Sequence, residues 1–175
     1  MTADFVHLRV HTEYSLVDGI VRIPELMAAT RDKGMPAVAV TDQSNLFGMV
    51  KFYRSALNTG IKPLVGVDAW VAEADAEEEP ARLTLLCQND AGYHNLTRLV
   101  TRSYMEGQNR GRAVMQKDWF AGASEGLIVL SGGLHGSVGR RLLAGHEDQA
   151  SEEAAWWAAQ FPDRYYLEVQ RCGRP

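Results

Sequence analysis

Cysteine is scarce in this chain. Cys87 and Cys172 lie far apart, so there is neither a disulfide framework nor a CxxC pair. Cys87 sits in an apolar run and reads as a buried thiol. Long hydrophobic runs are missing too: no stretch approaches the roughly 20 apolar residues of a membrane span. The N-terminus lacks the apolar core of a secretory signal. The expectation is a cytoplasmic protein with no membrane contact. Basic residues are not in excess, with 18 Lys and Arg against 22 Asp and Glu and a net charge of −4. That balance argues against strong autonomous nucleic-acid binding. The GxGxxG and GxxxxGK[ST] patterns are absent, which removes their dinucleotide and P-loop readings. No internal repeat, low-complexity tract or interdomain linker is present.

What remains is an ordinary globular composition, 46% hydrophobic and 23% charged over 175 residues, expected to form one domain over 1–175. The run Phe5–His11 reads as a strand. A helix starts at Pro24 and ends near Gly34, and a second ends at Gly60. "MPAVAVTD", "IKPLVGVDAWVA", "LTLLCQN" and "LIVLSGG" have the apolar centres of buried strands. Asp90 is placed to cap a helix running to about Gly107. "GQNRGR" reads as a loop, and "EADAEEEPAR", with five carboxylates, as a solvated one. "SVGRRLLAG" and "EDQASEEAAWWAAQF" read as helices. In the second, Ala150, Ala154, Trp157 and Phe161 share a face. "RYYLEVQRCG" reads as a closing strand. Strands alternating with helices predict an α/β fold with a parallel sheet.

The polar residues gather at predicted strand ends, where α/β folds do their chemistry. In "VHLRVHTEYS", residues two apart share a face, so His7, Arg9 and His11 line up. Asp18 follows in the next loop, Asp42 and Gln43 end the next strand, Asp68 lies in the one after, and Ser131 to Gly133 and Cys172 end later ones. Three or four converging His, Asp, Glu or Cys side chains make a metal site. Arg9 is foreign to one, because it carries a charge it cannot lose. The structural alternative is an ion pair of Arg9 with Asp18, Asp42 or Asp68. Arg98 and Arg102 share a helix face, with Arg110, Arg112 and Lys117 beyond. They could contact a phosphate backbone or an acidic partner, although a solvated face is the default. His94 and His135 lack partners that would make them catalytic.

"FVHLRVHTEYSLVDG", "GMPAVAVTDQSNLFGMVKFY", "GIKPLVGVD", "GYHNLTRLV", "EGLIVLSGG" and "FPDRYYLEVQRCGRP" together resemble the PHP (polymerase and histidinol phosphatase) domain that opens bacterial DNA polymerase III alpha subunits. The resemblance covers essentially the whole chain in order. It implies a distorted (β/α)7 barrel, here truncated before the last strands, with the polymerase core and its nucleotidyltransferase site not included. Active members of the family hold up to three metal ions and hydrolyse phosphoesters.

Matched to the family's motifs, Arg9 stands where the first His of HxH belongs, and His11 keeps the second. Asp42–Gln43 stands for Asp-His, Asp68 for a Glu, Gly133 for a Cys-like ligand and Cys172 for a His. Arg82 matches a possible further His, and Asp18 keeps the family's residue type. The resemblance therefore implies a degenerate metal site made of Arg9, His11, Asp18, Asp42, Gln43, Asp68, Gly133 and Cys172, with no catalytic residue and no cofactor. Its role would be structural: buttressing the rest of the alpha subunit in chromosomal replication and docking the proofreading exonuclease subunit. DNA would be met only in the context of the full subunit. The alternative is a residual phosphohydrolase, a pyrophosphatase or 3′–5′ exonuclease, using Zn or Mn.

Overall fold

The computed structural model describes residues 5–72 and 79–170. These form two compact units, divided between Asp68 and Ala69.

The first unit opens with an extended segment rather than the expected strand. His7 and Val10 accept hydrogen bonds from the Ala39 and Thr41 N–H groups at 2.8 and 2.9 Å. The Val10 N–H, however, goes to the Thr41 hydroxyl at 3.0 Å. A side chain has replaced a backbone carbonyl there, and the regular ladder is interrupted. A short 3-10 turn, Glu13–Ser15, follows.

Helix α1 (Ile23–Asp32) has Pro24 in its first turn, where no N–H partner is lost. Gly34 ends it at a φ of 68°, a conformation open to glycine at little cost. Strand β1 (Ala37–Val40) is buried throughout. Helix α2 (Met49–Thr59) stops at left-handed Gly60, whose N–H returns to the last turn. Strand β2 (Lys62–Ala72) pairs in parallel with β1, Ala37 opposite Lys62 through Val40 opposite Val65. The core of this unit is Ile23, Met27, Val38, Val40, Phe52, Ala56 and Ile61.

In the second unit, the end of β2 is followed by strand β3 (Ala81–Cys87) and helix α3 (Asp90–Met105). Asn89, not Asp90, caps α3. Asn89 holds the extended backbone of a cap and accepts the Gly92 N–H at 3.0 Å, whereas Asp90 is already helical. Gly92 cannot carry a side chain, because a Cβ there would run into the Gly126 carbonyl.

The expected loop "GQNRGR" is instead a hairpin of β4 (Gln108–Asn109) and β5 (Arg112–Gln116). Arg110 and Gly111 turn it with φ values of 48° and 79°, the positive pair a two-residue hairpin requires. Strand β6 (Leu127–Leu130), helices α4 (Ser137–Leu143) and α5 (Glu147–Gln160) and a two-residue β7 (Tyr165–Tyr166) complete the described part. Ala150, Trp157 and Phe161 of the expected α5 face are buried, and Ala154 is half-buried. The long closing strand is confined to Tyr165–Tyr166 among the described residues.

The strands of this unit run in the order β4-β5-β2-β3-β6-β7. The β2–β5 and β6–β7 pairs are parallel, but β3–β6 is antiparallel. The fold is α/β as expected, with a mixed rather than a parallel sheet. A parallel crossover needs about a dozen residues or more, and the link from Ala72 to Ala81 is too short for one. Among the described residues, no helix is long and apolar enough to cross a membrane.

Candidate functional site

The chemistry-bearing residues of the first unit meet where β1 ends and β2 passes its middle. Beyond Val40 the chain runs beside β2 for one more step: the Asp68 N–H donates to the Asp42 carbonyl at 3.2 Å, and the Ser44 N–H to the Asp68 carbonyl at 3.0 Å. Gln43 therefore faces Asp68 in a parallel bridge. Ser44 closes the step at a φ of 54°, a position where few non-glycine residues sit.

Asp68 is the centre. Its side chain is fully buried, and one oxygen, Oδ2, accepts three contacts. Arg9 donates Nε at 2.9 Å and Nη2 at 2.6 Å, and His11 Nε2 lies at 2.9 Å. The other His11 nitrogen, Nδ1, lies 3.0 Å from Asp18 Oδ2. Asp18 Oδ1 in turn accepts the Ser15 hydroxyl at 2.6 Å, and Ser15 Oγ accepts the Gln43 N–H at 3.0 Å. A single hydrogen-bonded chain thus joins Arg9, Asp68, His11, Asp18, Ser15 and Gln43. Arg9 and His11 share a face as the alternation predicts. His7 does not join them: it is exposed and packs edge-on against Phe5.

Asp42 is 2% exposed and held separately, accepting the Thr12 N–H at 2.6 Å and the Thr12 hydroxyl at 2.9 Å. Burial pushes its carboxyl above the ordinary 3.8, against the lowering pull of the Thr12 bonds and of His11. The turn carrying Thr12, Ser15 and Asp18 closes on Gly19, where any Cβ would strike the Thr12 carbonyl. Thr12 and Ser15 are the residues sequence reasoning passed over. Their signal was the hydroxyl-bearing pair directly after the polar run. Among the described residues, no group of three or more His, Cys, Asp or Glu side chains is arranged to hold a metal ion.

The other expected site residues lie in the second unit. Gly133 begins a 3-10 turn after β6, and Cys172 lies outside the described residues. Arg82 is buried on β3 and stacks over Trp70 at 4.4 Å. Arg98 is exposed on α3. Arg102 pairs with Glu106 at 2.7 Å and covers Trp119 at 4.1 Å. Arg112 and Arg110 both reach Glu79, at 3.0 and 3.5 Å. Cys87 is half-buried, and burial raises its thiol to about 11, so it carries little thiolate at neutral pH.

Curated relatives share this sequence along almost its full length. It is 49% identical over 175 residues to a DNA polymerase III subunit alpha of Pseudomonas fluorescens, and 49% over 174 residues to that of Pseudomonas aeruginosa. Against the Escherichia coli K12 subunit it is 45% identical over 171 residues, 98% of this chain. The chain spans about 15% of the length of these relatives. A solved amidohydrolase from Chromobacterium violaceum overlaps 57% of this chain and 33% of its own at 19% identity, but its TM-score of 0.45 is too low to carry an argument. The model of the PHP domain matches residues 7–172, and the chain belongs to the PHP domain family.

Proposed function

We propose that this chain is the PHP domain of a bacterial DNA polymerase III alpha subunit, with a degenerate metal site and a structural and docking role in the replicase. The observation that carries the reading is the Arg9 fork on buried Asp68, 2.6 and 2.9 Å from a single carboxylate oxygen. A guanidinium keeps its proton at any physiological pH and lies where a divalent cation would need that oxygen. The remaining donors are also engaged within the protein: both His11 nitrogens face carboxylates, and Asp42 is bonded twice by Thr12. These residues do not fit a metal cluster. Without one, the unit lacks the metal-based route by which active members of the family turn water into a nucleophile. What the network does is tie the N-terminal segment to the end of β1 and the middle of β2. In this reading the domain presents a rigid surface to the rest of the alpha subunit and to the proofreading exonuclease subunit.

Two measurements test it. Elemental analysis after equilibration with Zn²⁺ or Mn²⁺ and desalting is expected to give near-zero stoichiometry. One equivalent or more, with metal-dependent pyrophosphate or 3′-end hydrolysis lost in Asp18→Ala, would replace this reading with the residual hydrolase. Calorimetry against the exonuclease's C-terminal segment is expected to show saturable binding by the alpha subunit carrying this domain. Its absence would remove the docking role.

A further inference from the structure

We propose that the loop 12–21 and the outer face of α2 form a docking face for the remaining polypeptide of the alpha subunit, which meets it with an apolar surface rimmed by carboxylates. The inference rests on the reading above and deepens it, naming the surface and the chemistry of what covers it.

The loop leaves and rejoins the unit at one point. Thr12 and Val21 form a parallel bridge, and the Glu13 N–H donates to the Val21 carbonyl at 2.9 Å. Between them the chain is fixed from inside. Ser15 is buried and its hydroxyl holds Asp18, the Asn45 amide donates to the Tyr14 carbonyl at 3.0 Å, and the Val17 N–H donates to the Ser15 carbonyl at 2.8 Å. Compact loops closed in this way are frequently functional. The outward side chains are Leu16, Val17 and Ile20, at 72%, 85% and 93% exposure. A lone exposed aliphatic is ordinary, but three on one fixed loop are not. Leu16 is also held at a φ of 67°, a strained conformation for a leucine, and gains little burial in return.

The apolar surface continues onto α2. The loop rests on the start of that helix. The Tyr14 ring packs over Gly48, where a Cβ would come within 2.9 Å of it, and the Tyr14 hydroxyl accepts Lys51 Nζ at 3.2 Å. Phe47 and Val50 flank Gly48 and are more than half exposed. Tyr53 and Leu57 follow Val50 at helical spacing, so the three share one exposed face.

Charge selects the occupant. Helix α2 carries Lys51 and Arg54 and no carboxylate. Arg54, and Arg22 just beyond the loop, are exposed and have no ion-pair partner among the described residues. A second copy using the same face would bring these like charges against one another, which is unfavourable. An apolar partner with Asp or Glu at its rim answers both features. The relatives extend far beyond the 15% of their length that this sequence spans, so in them most of the subunit is polypeptide joined to this domain. A covalently joined partner acts at a high effective concentration, so a modest apolar surface is enough to keep it docked.

The test is thiol labelling in the full alpha subunit, with Val17→Cys and Ile20→Cys made separately and the labelled peptide quantified by mass spectrometry. Both positions face outward, so the inner bonds of the loop stay in place. In the native subunit, labelling is expected to be at least about tenfold slower than in the same protein unfolded in urea. Adding Arg54→Glu should speed it. Labelling at the unfolded rate at both positions would overturn the proposal, and the metal analysis and the exonuclease titration would still stand or fall by themselves. Protection lost on dilution would assign the face to a second copy and overturn the proposal. Protection that appears only when the exonuclease subunit is added would assign the face to that subunit, with the same consequence. A rate unmoved by Arg54→Glu would overturn the carboxylate rim.

Discussion

Arg9→Leu is the perturbation that bears most directly on the candidate site. Leucine retains part of the apolar stem and removes the fork. Asp68 has a side chain with no exposure, and Arg9 is 18% exposed. Removing one partner of a buried ion pair costs about 3–5 kcal/mol, because the other charge is left unpaired. His11 stays 2.9 Å from the same oxygen, which places the expected loss at the lower end, about 3 kcal/mol. Asp68→Asn leaves a partly exposed arginine that can reach water, and should cost less, about 2 kcal/mol. In the double variant neither residue leaves an unpaired charge, so the two losses should fall short of additive by about 2 kcal/mol. Urea unfolding of the four proteins reads this directly: with a slope of about 2 kcal/mol/M, Arg9→Leu should shift the midpoint down by about 1.5 M. A loss under about 0.5 kcal/mol, or a cycle additive within that margin, would refute the reasoning. It would mean that the pair is too well hydrated to be what holds the N-terminal segment.

Two further predictions concern pH, and their signs are opposite. Asp42 has a carboxyl raised above 3.8 by burial, so folding disfavours its ionised form at neutral pH and the penalty is relieved as pH falls through the raised value. Wild type should therefore gain on Asp42→Asn in thermal stability between pH 7 and pH 4; a constant gap, or one widening the other way, would contradict this. Glu153 is pushed up by burial but pulled further down by Lys117, Ser137 and Trp157, so its carboxyl lies below the ordinary 4.5. Its contribution is present above that value and lost as pH falls through the lowered one. Lys117→Met should cost about 2–4 kcal/mol at pH 7, with the deficit shrinking in acid. A deficit independent of pH would show that lost packing, and not charge, is responsible.

Local signals carried much of the fold. Pro24, Gly34 and Gly60 mark helix ends because their backbone preferences act within a few residues. The apolar runs of β1, β3 and β6 announce burial on their own. The hairpin at Arg110–Gly111 is not legible in the chain because a polar "QNRGR" run gives no alternation to read; the positive φ pair and the pairing of Gln108–Asn109 with Arg112–Ala113 define it. Asn89 displaced Asp90 as a cap because two adjacent capping residues are equivalent until the backbone decides which of them is extended. The mixed sheet is legible in the shortness of the link from Ala72 to Ala81, which no parallel crossover can span.

For the candidate site, the chain alone determined that Arg9 and His11 share a face, that one arginine stands among three aspartates, and that this set resembles a metal site with substitutions in it. It could not choose the partner of Arg9, because Asp18, Asp42 and Asp68 were all open to it. The tertiary structure brings Asp68 to the guanidinium and gives the other two carboxylates partners of their own. Thr12 takes both oxygens of Asp42, and Ser15 and His11 take those of Asp18. Asp68, 59 positions away along the chain, is the carboxylate that β2 carries to the guanidinium. Periodicity is a property of neighbours in sequence. Which charge answers which is a property of the strands that bring them together.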